Sequence, residues 1–68
     1  MMRIYYCESR MGCCIRAYEN DEAAIAEFKA EVGWSNYESV KQAKAKDVAY
    51  VKSMGGYIPE EAKKLLKD

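Results

Sequence analysis

Three cysteines, Cys7, Cys13 and Cys14, are the only thiols in the chain and fall close together near its start. Such a cluster can hold a metal, form a disulfide, act as a nucleophile, or simply pack. A structural zinc site normally takes four ligands, mostly Cys or His. The chain has no histidine, and adjacent residues such as Cys13 and Cys14 point to opposite faces if the segment is a strand. A fourth ligand would have to be a carboxylate such as Glu8. No metal and no cofactor are therefore expected. A nucleophilic thiol needs a base or a cation beside it. Only Arg3 and Arg16 are at hand, and neither accepts a proton. Cross-strand pairing of Cys7 with Cys14 is geometrically open, while a reducing compartment favours two free thiols.

The elements around the cysteines decide between these chemistries. Met2 to Glu8 and Cys13 to Glu19 are rich in aromatic and branched residues, with Ser9-Arg10-Met11-Gly12 between them. This pattern predicts a β-hairpin. Pairing Ser9 with Gly12 sets Cys7 opposite Cys14, Tyr5 opposite Arg16, Ile4 opposite Ala17 and Arg3 opposite Tyr18. One face then carries Ile4, Tyr6, Cys13, Ile15 and Ala17, and reads as the core. The other carries Arg3, Tyr5, Cys7, Cys14, Arg16 and Tyr18, and reads as an outer face.

Asn20 or Asp21 can cap a helix over Ala23 to Val32, which Gly33 ends. Ala24, Ile25, Phe28 and Val32 recur at helical spacing and are expected to pack on the sheet. Glu38 to Lys44 predicts a charged edge strand. Lys46 to Met54 predicts a second helix. Pro59 is expected to open a short third one, with Tyr57 and Ile58 tucking it against the core. The order is β-β-α-β-α-α. A right-handed crossover after the second strand then gives a three-stranded antiparallel sheet, order 2-1-3, with the helices on one face. The fold class is α+β, in one domain over residues 1–68.

Lys plus Arg and Asp plus Glu are equal at 11 each. A neutral chain lacks the basic excess of an electrostatic nucleic-acid binder. Apolar runs are far short of the roughly 18 residues of a membrane span, and the first residues do not form a signal peptide. The expected location is the cytoplasm of a bacterial host.

Carboxylates cluster at helix starts, where capping and solvation account for them, and no pair sits in an evident apolar pocket. No catalytic residue and no enzymatic activity are expected. Binding remains. Tyr and Arg are enriched where binding energy concentrates, so the candidate partner-binding set is Arg3, Tyr5, Arg16 and Tyr18 on the outer face, with Arg10 and Met11 at the hairpin tip. The same face could instead stack bases, as sheet-borne aromatics do, with Lys41, Lys44 and Lys46 extending it. Trp34 is expected to cover the small core, or otherwise to anchor an interface. The free edge of the second strand could join two copies of the chain.

In size, compactness and lack of catalytic motifs, the chain resembles the small accessory proteins of bacteriophages, including CRISPR inhibitors. That resemblance covers the whole chain and assigns no residue. It implies a non-enzymatic inhibitor or modulator that docks on a larger protein or ribonucleoprotein complex and blocks it sterically. The alternative is a small nucleic-acid- or nucleotide-binding module.

Overall fold

The computed structural model describes residues 2–66. Strand β1 (Arg3–Ser9) turns into β2 (Gly12–Tyr18), followed by helix α1 (Asp21–Val32), strand β3 (Tyr37–Gln42), helix α2 (Ala45–Ser53) and the single-turn helix α3 (Glu60–Lys63). A 3-10 turn over Lys64–Leu66 completes the described chain. The class and element order are those expected from the sequence.

The sheet order is β2-β1-β3, and β1 runs antiparallel to both neighbours. The hairpin register is the one that hydrophobic patterning selected, from Arg3 opposite Tyr18 to Ser9 opposite Gly12. A one-residue slip would carry every side chain to the wrong face. Gly12 has φ 134°, a backbone conformation that side-chain-bearing residues rarely adopt. The Ser9 hydroxyl accepts from the Met11 N–H at 3.2 Å and tightens the tip.

The caps set the element boundaries. Asn20 Oδ1 accepts from the Ala23 N–H at 2.8 Å and starts α1. Gly33, at φ 88°, ends it. Lys44 was expected in the third strand, but its backbone is extended and its N–H donates to Asp47 Oδ2 at 2.9 Å. It therefore serves α2 as a cap, and β3 stops earlier. Pro59 is likewise a cap one residue before α3, its carbonyl accepting from the Ala62 N–H at 2.9 Å. Ile58 is buried beside α3, whereas Tyr57 projects into solvent rather than joining it.

The helices cover both faces of the sheet, not one. Helix α1 lays Ala24 and Phe28 on Tyr5, Cys7 and Tyr18, with Cys14, Val32, Tyr37 and Val40 around them. On the opposite face Val48, Val51, Ile58 and Ala62 pack on Ile15, with Ile4, Tyr6, Cys13 and Leu66 alongside. The reason is that alternate residues of β1 and β2 are apolar on each side of the sheet, so both faces need cover. Helix α1 covers one, and α2 with α3 covers the other.

Candidate functional site

The expected Tyr/Arg outer face is the floor of a core. Tyr5 is 1% exposed and Tyr18 is also buried. Their rings lie 6.0 Å apart in a tilted pair beneath α1. The Tyr5 hydroxyl donates to Asp21 Oδ1 at 2.6 Å, and Gln42 Nε2 donates to the same oxygen at 3.2 Å. Burial first, and then this bond, raise the Tyr5 pKa, while the Tyr5 bond first holds the Asp21 carboxyl below its ordinary value. Both tyrosine rings are covered by α1 rather than exposed on an outer face.

Arg16 is half-buried rather than free. Its guanidinium forms a forked ion pair with the Glu31 carboxylate on α1, and it lies 5.9 Å from the Phe28 ring centroid. Its aliphatic stem covers the core while its charged end reaches the rim. Arg3, Arg10 and Met11 are exposed, and Arg3 lies 3.9 Å from the Asp21 carboxylate. Lys41 is engaged above the Tyr6 ring at 5.4 Å.

The most prominent apolar feature lies elsewhere. Trp34 is 83% exposed, so it does not cover the core. It stands at the end of a groove along the outer side of α1, about 680 Å³ in volume, floored by Ile25, Ala26, Ala30 and Gly33. Residues spaced by four along a helix stack on one face, which places Ala26 beside Ala30 and Ile25 beside Lys29, while Trp34 joins the groove from the turn just past the helix end. Ile25, expected in the core, is 39% exposed and faces this groove. Glu22 and Lys29 form its charged rim, and the Lys29 ammonium lies 4.9 Å from the Tyr37 ring centroid. The Arg10 N–H donates to the Asn36 carbonyl at 2.8 Å. This bond brings the Arg10–Met11 tip to the same end of the molecule as the Trp34 turn.

Sequence reasoning missed this face because it gave α1 a single apolar stripe. The signal was present. Alanines at 23, 24, 26 and 30 together with Ile25, Phe28 and Val32 are too many for one stripe of a short helix.

The cysteines separate by face. Cys7 is fully buried opposite Cys14, and Arg16 Nε donates to Cys14 Sγ at 3.4 Å. Cys14 is lowered to about 6, first by the hydrogen bond from Cys7 and then by Arg16, against burial and the Glu31 charge. Cys7 is pushed up by the same hydrogen bond and by burial. Cys13 lies on the other face, where its hydrogen bond with Tyr6 is the main cause of a raised Tyr6 pKa. All three thiols are free. Among the described residues no group of three or more His, Cys, Asp or Glu side chains could hold a metal ion. No helix of these residues is long and apolar enough to cross a membrane.

The chain matches no protein-family model, no curated protein and no solved structure.

Proposed function

We propose that this protein is a non-enzymatic protein-binding module whose contact face is the outer side of α1 capped by Trp34, with the Arg10–Met11 tip beside it. The observation that carries this reading is the exposure of the single tryptophan against an apolar groove. Burying a large aromatic side chain contributes about 3 kcal/mol relative to leaving it in water, so an exposed Trp has much to gain from a partner. Trp and Arg are the side chains in which interface energy concentrates. Scattered single apolar residues need no explanation, whereas a row of them along one helix does.

A neutral chain favours a protein partner over nucleic acid. Occlusion of a larger bacterial protein or ribonucleoprotein complex is the mode of action in this proposal, as in the phage inhibitors that the chain resembles. A folded domain that covers a site needs no chemistry of its own.

The test is a paired affinity capture. Tagged wild type and Trp34→Ala are immobilised, exposed to bacterial lysate with and without nuclease treatment, and the retained proteins identified by mass spectrometry. The expected result is a protein held in stoichiometric amount by the wild type and absent from the variant. Equal retention by both would reject the α1–Trp34 face. Capture that disappears with nuclease would favour a nucleic-acid partner instead.

A further inference from the structure

Cys7 and Cys14 belong to one constellation that protein binding does not use. Residues directly opposite in an antiparallel pair have Cα atoms about 4.5–5.5 Å apart. A disulfide spans about 4.4–6.8 Å between Cα atoms. The Cys7–Cys14 pair, opposite in register, lies within that Cα range, and a bond between the sulfurs draws the two Cβ atoms slightly together. Cys14 lines a groove along the free edge of β2, about 590 Å³ in volume, while Cys7 lies wholly beneath it. Arg16 donates to the Cys14 sulfur. Glu27, Glu31 and Glu61 border the same groove, and among the described residues Arg16 pairs with Glu31.

We propose that Cys14 and Cys7 form a two-thiol modification site for small uncharged peroxides and electrophiles, with Cys14 the attacking thiol and Cys7 the resolving one. The carboxylates around the groove disfavour anionic reagents. The Cys14 thiolate attacks one peroxide oxygen and the O–O bond breaks. The leaving oxygen departs as hydroxide or alkoxide and takes a proton from water. Cys14 becomes a sulfenic acid, oxidised by two electrons as the peroxide is reduced. The Cys7 sulfur then attacks Cys14 Sγ. An S–S bond forms, the S–O bond breaks, and the hydroxyl leaves with the Cys7 proton as water. The low thiolate pKa of Cys14 supports its role as the attacking sulfur. The groups facing the pair are Arg16 on β2, Glu27 and Glu31 on α1, and the buried Tyr18. Cys13, on the opposite face, has no thiol partner across the hairpin, because its register partner is Glu8.

The first test uses the unmodified chain. Reduced protein is treated at neutral pH with substoichiometric iodoacetamide, and the labelled positions are mapped by peptide mass spectrometry. Cys14 is expected to carry the label ahead of Cys13 and Cys7. Its rate should follow a titration midpoint near 6 and should fall several-fold in Arg16→Gln. The second test treats the Cys13→Ser variant with one equivalent of hydrogen peroxide. The intact mass should drop by two hydrogens and recover with dithiothreitol, and the Cys7→Ser chain should instead yield a dimedone adduct at Cys14. Preferential labelling of Cys13, a Cys14 rate with the pH profile of an ordinary thiol, or disulfides formed only between molecules would overturn the proposal.

Discussion

Trp34 and Arg16 divide the work of the surface in opposite ways. Trp34 contributes little to the fold, since most of it is in water. Trp34→Ala should change unfolding free energy by less than about 0.5 kcal/mol, measured by urea denaturation, while removing partner binding. Arg16 is tied to Glu31 and Cys14 and is unavailable for recognition without breaking those bonds. Tyr5 has a third role, anchoring the start of α1 through Asp21. Tyr5→Phe should lower the urea midpoint at neutral pH. Because the Asp21 carboxyl is held below its ordinary value, that contribution is present above about pH 4 and lost as pH falls further. The gap between variant and wild type should therefore narrow in acid. At this scale the opposition of Cys7 and Cys14 was legible from alternation alone. The fate of Tyr5 and Tyr18 was not, because Arg3 and Arg16 marked their face as solvent-facing. The stem of Arg16 buries while its head does not, and a sequence reads only the head.

Helix α1 is the element on which the account turns, since it is apolar on both sides. Its inner side, through Phe28, holds the core over β1 and β2. Phe28→Ala should cost about 3–5 kcal/mol, enough to leave so small a domain substantially unfolded, as circular dichroism and denaturation would report. Its outer side, through Ile25, Ala26 and Ala30, is free for a partner. The link between α2 and α3 shows a tighter constraint at Gly56. A Cβ there would lie 2.6 Å from Val51 Cγ1 and 3.2 Å from the Val51 carbonyl. Gly56→Ala should cost about 1–3 kcal/mol by overpacking, read as a lowered thermal midpoint. Every element was legible from periodicity and caps, with ends displaced by a residue or two where Lys44 and Pro59 serve as caps. The assignment of helices to faces was not legible. Ile4, Tyr6 and Ile15 on one side match Tyr5, Cys7 and Tyr18 on the other in apolar character, so patterning could not choose a covered face.

For the molecule as a whole, dividing the helices between two faces gives a small domain two thin cores and leaves one helix side uncommitted. It also sets beneath α1 a thiol pair, Cys7 buried and Cys14 half-buried, whose charge couples stability to pH. The Cys14 pKa is depressed to about 6, so its contribution is full above the unfolded thiol value of about 8.5 and is lost as pH falls towards 6. Cys7 is raised, so its contribution is present below about pH 8.5 and is lost at more alkaline pH. Stability should rise from pH 6 to about 8 and decline beyond 9, with the rise flattened in Cys14→Ser. With no histidine in the chain, few other groups titrate in that window, and urea midpoints across pH would read it cleanly.

The central claim is that a protein partner seats on Trp34. Because Trp34 is the only tryptophan, the chain can be labelled there alone with 5-fluorotryptophan. Its fluorine resonance can then be followed as the captured partner is added. The expected result is a solvent-exposed resonance in the free protein that shifts and broadens in step with complex formation. Complex formation with an unmoved fluorine signal would place the contact elsewhere and contradict it.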